Sequence, residues 1–222
     1  MPNNYEQEVC NILKETTIHQ RLEELKERTN STGHEHAFGV CSDGNVTKIF
    51  RGGMHKVDTD DVAERCNNET DLIIHSHPHF YAYPSRGDFV ADLYNQPRIA
   101  NCVYGSEDDK VTCYRTSDEL RNKYRPLIKN AYNKAMKTYI NMKIATDPEE
   151  QRRLREEYEN EYNKYKTLLT NSAEEVVSNI YPNLKSITYP YGKESDDYYK
   201  AISEEPRFGN FGNVWVKDCG KI

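Results

Sequence analysis

The residues best suited to chemistry stand in one run, His75-Ser76-His77-Pro78, directly after the apolar stretch Leu72-Ile73-Ile74. A brief apolar run of this kind reads as a buried central strand. Alternate residues of an extended chain point to the same side, so the imidazoles at 75 and 77 face one point in space. Two neutral imidazoles suit a borderline ion such as zinc, whose catalytic sites take three protein ligands and keep a fourth position for water. The third ligand must then come from another element. Asp88 fits, on the first turn of a helix that opens at Pro84-Ser85 and runs to about Asn95, because the intervening loop is long enough to turn back over the strand end. Ser85-x-x-Asp88 is also a capping box, which by itself marks only a helix start, and a lone His-x-His is equally unspecific. The metal reading rests on their conjunction at fixed spacing.

That conjunction, His75-Ser76-His77-Pro78, six further residues, then Ser85-x-x-Asp88 with Pro84 before the serine, resembles the signature of the JAMM (MPN) zinc metallopeptidases. The resemblance spans roughly residues 30 to 115. It implies that His75, His77 and Asp88 bind Zn2+ with a water completing the site, and that Ser85 hydrogen-bonds near the metal and helps stabilise the tetrahedral intermediate. It also implies a glutamate on an earlier strand as general base. Glu35 takes that place, just ahead of Ala37-Phe38-Gly39-Val40, although its spacing to the following glycine departs from the family pattern. Glu64 and Glu69 are the competing candidates, in polar stretches nearer His75 with no strand pattern after them. The implied reaction is hydrolysis of an amide or isopeptide bond in a protein or peptide substrate, including removal of ubiquitin-like modifiers from their targets. Two other classes share parts of the pattern. Non-peptidase zinc hydrolases use His-x-His at a strand end but need further downstream ligands, and no histidine follows Asp88. A JAMM-like scaffold module without turnover is the other.

Around this motif, His34, His36 and His79 flank the site out of register with it, as surface residues or supports of the ligands, with His79 a substitute ligand in principle. His19 and His55 take no assignment. Phe80, Tyr81 and Tyr83 lie between the ligands and either line the cleft or cover the edge of the core. The six cysteines show no Cys-x-x-Cys pair and do not read as a disulfide framework in a chain of this length. Cys41, Cys102 and Cys113 fall in strand-like runs, where a thiol acts as a small buried apolar group; metal binding or nucleophilic catalysis is the alternative.

The elements that must hold these residues follow from periodicity. Residues 5 to 28 read as one helix, with Val9, Ile12, Leu13, Ile18, Leu22 and Leu25 at helical spacing. Strands are expected at His36 to Cys41 and Asn45 to Phe50, joined through Ser42-Asp43-Gly44 as a tight hairpin, and at Ile99 to Tyr104 and Lys110 to Arg115 around the turn 105–109. The pattern gives a mixed α+β or α/β core, residues 1–116, its β-sheet flanked by helices. A helical extension follows over 117–188. Thr116-x-x-Glu119 reads as a capping box, Asp147-Pro148-Glu149-Glu150 as a helix restart, and Ser172-x-x-Glu175 as the start of a third helix. Tyr158, Tyr162 and Tyr165 form a stripe that is either the packing seam of this helical hairpin or a partner surface. Residues 189–222 read as a loop-like tail with an edge strand at Val214-Trp215-Val216.

Composition sets the outer limits. The chain of 222 residues carries a net charge of −6, which argues against nucleic-acid backbones as partners. At 30% charged residues and a mean hydropathy of −0.94, part of it should be exposed helix. No apolar run could span a bilayer, and the amino terminus has neither a basic start nor an apolar stretch, so a soluble cytoplasmic protein is expected. The sequence sets no oligomeric state.

Overall fold

The computed structural model describes residues 5–67, 69–184 and 196–222, with 196, 197 and 199 described by backbone alone. Its centre is a seven-stranded sheet: β1 (His36–Cys41), β2 (Phe50–Arg51), β3 (Thr70–His77), β4 (Ala100–Gly105), β5 (Lys110–Thr116), β6 (Gly209–Asn210) and β7 (Val214–Gly220). The strand order is β2-β1-β3-β4-β5-β7-β6, and every neighbouring pair is antiparallel except β3–β4. A parallel pair needs a crossover, and α4 (Arg86–Asn95) supplies it. The mixed α/β architecture agrees with the expected class.

Helices cover both faces. On one side α1 (Tyr5–Ile12) and α2 (Thr16–Thr32) bury Val9, Leu13, Ile18, Leu22 and Leu25 against Phe38, Val40, Leu72 and Ile74. The expected single helix is broken at Leu13-Lys14-Glu15, because the two segments lie against different strands: α1 packs beside β7 and α2 along β1 and β3. On the other side α3 (Asp60–Arg65) sets Val62 against Ala37 and Ile73, while α4, α5 (Asp118–Ile144), α6 (Pro148–Ile180) and α7 (Asp196–Glu204) share a core with β5 and β7.

Several expectations shift in register or kind. The strand expected at Asn45 to Phe50 shrinks to a single bridge at Val46 and the short β2, since the Thr47 hydroxyl takes the Gly39 N–H that a ladder would use. The cap of α5 is Ser117, whose Oγ accepts from Leu120 N, one residue past the expected Thr116. The Asp147-Pro148 restart holds as read, with the Asp147 side chain accepting from Glu149 N. No helix begins at Ser172; it is buried inside α6 and donates to the Leu169 carbonyl. The tyrosines do meet across the hairpin, Tyr139 with Tyr158 at 5.3 Å and Tyr132 with Tyr165 at 5.7 Å between ring centroids. In the tail, 189–195 lie outside the described residues. The stretch after them forms α7 rather than loop, and β7 is an inner strand with β6 at the edge.

The cysteine reading is overturned. All six pair, as Cys10–Cys219, Cys41–Cys66 and Cys102–Cys113, with sequence separations of 209, 25 and 11. Cys102 and Cys113 are directly opposite in the β4–β5 ladder, Cys41 and Cys66 tie the end of β1 to the end of α3, and Cys10 and Cys219 join α1 to β7. Cys10–Cys219 and Cys41–Cys66 join elements that only the tertiary fold brings together, whereas Cys102–Cys113 spans the β4–β5 hairpin, whose expected strands around 105–109 already set the two cysteines opposite each other. Among the described residues no helix is long and apolar enough to cross a membrane.

What fixes α4 on the sheet is a buried ionic knot. Asp92, fully buried, accepts from Asn101 Nδ2 at 2.6 Å and Arg121 Nη2 at 2.5 Å on one oxygen, and from Thr116 N at 2.8 Å and Thr116 Oγ1 at 2.5 Å on the other. Arg121 also donates to the Pro97 carbonyl at 2.9 Å. One carboxylate thus links α4, β4, β5, α5 and the loop leading into β4. Asp92→Ala leaves a buried guanidinium uncompensated and is expected to lower stability by about 3–5 kcal/mol. Asp92→Leu with Arg121→Met should recover much of that loss. Guanidinium denaturation of the three proteins checks this, and equal losses for single and double variants would refute it.

Candidate metal centre

The site lies where β3 ends and α4 begins, the carboxyl end of a strand that feeds a crossover helix. His75 and His77 are both buried and on one face of β3, as the two-residue period requires. Asp88 reaches them from the first turn of α4. The Nε2 atoms of the two histidines are 3.2 Å apart, His75 Nε2 is 3.1 Å from Asp88 Oδ1, and His77 Nε2 is 3.2 Å from Asp88 Oδ2. These three side chains form a group that could hold a metal ion. Bonds of about 2.0–2.1 Å from a tetrahedral ion put ligand atoms roughly 3.3–3.4 Å apart, close to the 3.2 Å between the two imidazole nitrogens, while the Asp88 carboxylate turns one oxygen to each ring. Burial alone would raise the Asp88 pKa; the adjacent imidazoles more than reverse this and hold it well below the usual carboxylate range. His77 Nδ1 is buried with no hydrogen-bond partner among the described residues.

The strand end and the Asp88 carboxylate are each held from behind. Ser76, pointing to the opposite face, is fully buried and accepts from Thr29 Oγ1 at 2.7 Å and His36 N at 2.9 Å, which ties the end of β3 to both α2 and β1. Ser85 caps α4 in a complete capping box: its Oγ accepts from Asp88 N at 3.2 Å, and Asp88 Oδ2 accepts from Ser85 N at 2.7 Å. Ser85 therefore sits beside the carboxylate that faces the two imidazoles.

Glu35 immediately precedes β1, bonded through its backbone to Gly52 and Gly53. In the β1–β3 register Ala37 faces His75, so Glu35, two residues before Ala37, aligns with His77 and belongs to the imidazole face. It is buried at 9% exposure. Glu69 and Glu64 are exposed and lie elsewhere: Glu69 at the other end of β3, about 20 Å from His75 at ~3.3 Å per residue, and Glu64 in α3 beside the Cys41–Cys66 bridge. Of the other histidines, His36 points to the α2 face with Nδ1 3.0 Å from the His34 carbonyl, and burial lowers its pKa. His34 sits against the Thr32 carbonyl, and His79 is exposed; neither joins the triangle.

The loop between the ligands is a built object. Phe80 approaches the edge of the His77 ring at 6.3 Å between centroids, and Tyr81 is exposed. Tyr83 is core, its hydroxyl donating to the Arg207 carbonyl. The loop is fastened to the β4–β5 turn: His79 N donates to Ser106 Oγ at 2.7 Å, Glu107 N to the Phe80 carbonyl and Ala82 N to Asp108 Oδ1 at 3.0 Å. It passes so close over Gly105 that a Cβ there would stand 2.0 Å from Ala82 N and 2.3 Å from Tyr81 C. Tyr198 of α7 donates to the Pro84 carbonyl at 2.8 Å from the far side.

Three contributors to this site escaped the sequence reading. Asp92 carried a faint signal, since a charge one turn after Asp88 interrupts the apolar positions Phe89, Val90 and Leu93. Gly105 and Tyr198 gave none, because both act through contacts distant in sequence. No protein-family model matches the chain, and no curated protein is similar to it.

The geometry makes two substitutions informative. His75→Ala removes one corner of the triangle and is expected to abolish stoichiometric metal binding. Gly105→Ala leaves every ligand in place but pushes the 78–84 loop outward, and should weaken metal affinity by roughly 10–100-fold, the range for supports of metal ligands. Competition titration with a chelating dye reads both, and an unchanged affinity in Gly105→Ala would show that the loop does not set the ligand geometry.

Proposed function

We propose that this protein is a zinc metallopeptidase of the JAMM type, hydrolysing an amide or isopeptide bond in a protein or peptide substrate. The observation that carries the reading is the cluster of His75 Nε2, His77 Nε2 and the Asp88 carboxylate, with the two nitrogens 3.2 Å apart, Ser85 beside it and Glu35 on the same sheet face. Two imidazoles and one carboxylate form a donor set suited to zinc, with a coordination position left for chemistry. When bound, zinc supplies Lewis acidity that activates water near neutral pH and polarises a carbonyl.

The remaining roles belong to the chain. Glu35 takes the proton from the attacking water and returns it to the departing amine, acting first as base and then as acid. The Ser85 hydroxyl accepts from Asp88 N and keeps its own hydrogen to donate to the carbonyl oxygen as negative charge develops there. His75, His77 and Asp88 would hold the ion, and the Phe80 ring stands edge-on to His77.

The test separates the metal from the base. Purified wild-type protein should contain one zinc per chain. Glu35→Gln, which keeps the shape but cannot take a proton, should retain that zinc while turnover of a peptide or isopeptide library falls by about 10²–10⁴-fold. Equal turnover in both proteins would remove Glu35 from the mechanism. A folded wild type that binds no zinc would end the peptidase reading.

A further inference from the structure

The cytoplasm expected from the sequence agrees poorly with the covalent structure. We infer that this protein matures and works in an oxidising compartment, with Cys10–Cys219, Cys41–Cys66 and Cys102–Cys113 closed. Resting on the peptidase reading, its substrate is then a protein or peptide found there, and not a modifier conjugate of the reducing cytosol. Disulfides persist in secreted, periplasmic, lumenal and surface proteins and are rare where glutathione and thioredoxin keep thiols reduced.

Three features carry the inference. First, the pairing is exhaustive: six cysteines form three bridges, and none is free. A redox-sensing or catalytic bridge is characteristically a single exposed pair, whereas here Cys41, Cys66, Cys102 and Cys113 are all buried. Second, the bridges are distributed as fasteners. One joins the amino-terminal helix to the strand β7, one joins α3 to β1, and one lies within the sheet. Cys102 also adjoins Asn101, a donor to Asp92, and Val103, the β4 neighbour of His75. Third, disulfide-rich intracellular proteins are a feature of hyperthermophiles, which deplete thermolabile asparagine. This chain has twenty asparagines in 222 residues.

The chemistry balances by thiol–disulfide exchange. Each bridge forms as two cysteine thiols pass two electrons and two protons to a disulfide-donating oxidant of the compartment, which leaves as its dithiol. Closing all three consumes three such oxidants.

The experiment produces the full chain in parallel in an oxidising and a reducing host compartment. Each preparation is denatured and alkylated with iodoacetamide, with and without prior reduction, then analysed by mass and peptide mapping; melting temperature and zinc content are read on the native proteins. The oxidised preparation should take no alkyl group before reduction and six after it, map to 10–219, 41–66 and 102–113, and melt about 10 °C or more above the reduced one. Six reactive thiols in a reduced preparation that melts with the oxidised one would overturn the inference, as would different pairings. The zinc reading keeps the two proposals apart. An oxidised chain with the mapped bridges but no zinc ends the peptidase reading and leaves this inference standing, and a zinc-loaded chain equally stable with six thiols does the reverse.

Discussion

A carboxylate buried inside a protein is costly unless its oxygens are fully engaged, and Asp92 meets that condition with four hydrogen bonds from three residues. Because the donors come from β4, the end of β5 and the first turn of α5, they leave α4 one angle and one height relative to the sheet. An apolar contact would let the helix slide; a charged knot of this geometry does not. Asp88 lies one helical turn earlier on α4. The meeting of its carboxylate with two imidazoles on β3 depends on that docking, since Asp88 is the one corner of the triangle that does not come from the strand.

The strand end has its own constraint. β3 carries His75 and His77 on one face and Ser76 on the other, and the two faces do different work. Ser76, bonded to Thr29 and to the His36 amide, stops the last residues of the strand from twisting out of the sheet. The imidazoles on the other face then stand 3.2 Å apart at their Nε2 atoms. The same pleat that turns Ser76 inward brings Glu35 onto the imidazole face, because directly opposed residues in an antiparallel pair share a side. The two histidines and Glu35 are thus placed by a single register, and a slip of one residue between β1 and β3 would move Glu35 to the wrong face.

What could be read in the sequence follows the range of the interaction involved. The strand at His36 to Cys41, the apolar run before His75, the helix after Ser85 and the Asp147-Pro148 restart were all legible, since each is written in neighbouring residues. So were the three residues of the triangle. The break between α1 and α2, the single bridge at Val46 and the continuity of α6 through Ser172 were not legible, because local propensity allows either outcome and packing decides. The Cys10–Cys219 and Cys41–Cys66 disulfides failed for the same reason in extreme form. Cys10 and Cys219 are neighbours only because β7 returns to the sheet beside α1 after the whole chain has been laid down. Asp92 and Arg121 lie 29 residues apart and show as a pair only in the folded chain.

One ambiguity in the sequence dissolves on inspection of the atoms. Ser85-x-x-Asp88 by itself reads as a helix start and joins a metal motif only in conjunction with the two histidines, so the two readings look like rivals. They describe one arrangement. Asp88 Oδ2 accepts from Ser85 N along one lone pair and faces His77 with the other, while Oδ1 faces His75. The cap fixes the rotation of the carboxylate, which a free aspartate on a helix surface would lose to rotamer entropy. The positive end of the helix dipole favours its ionised form, the form able to ligate a metal. A helix start is therefore a physically sound place for the one corner of the triangle that must cross from another element: the bonds that cap the helix also aim the carboxylate.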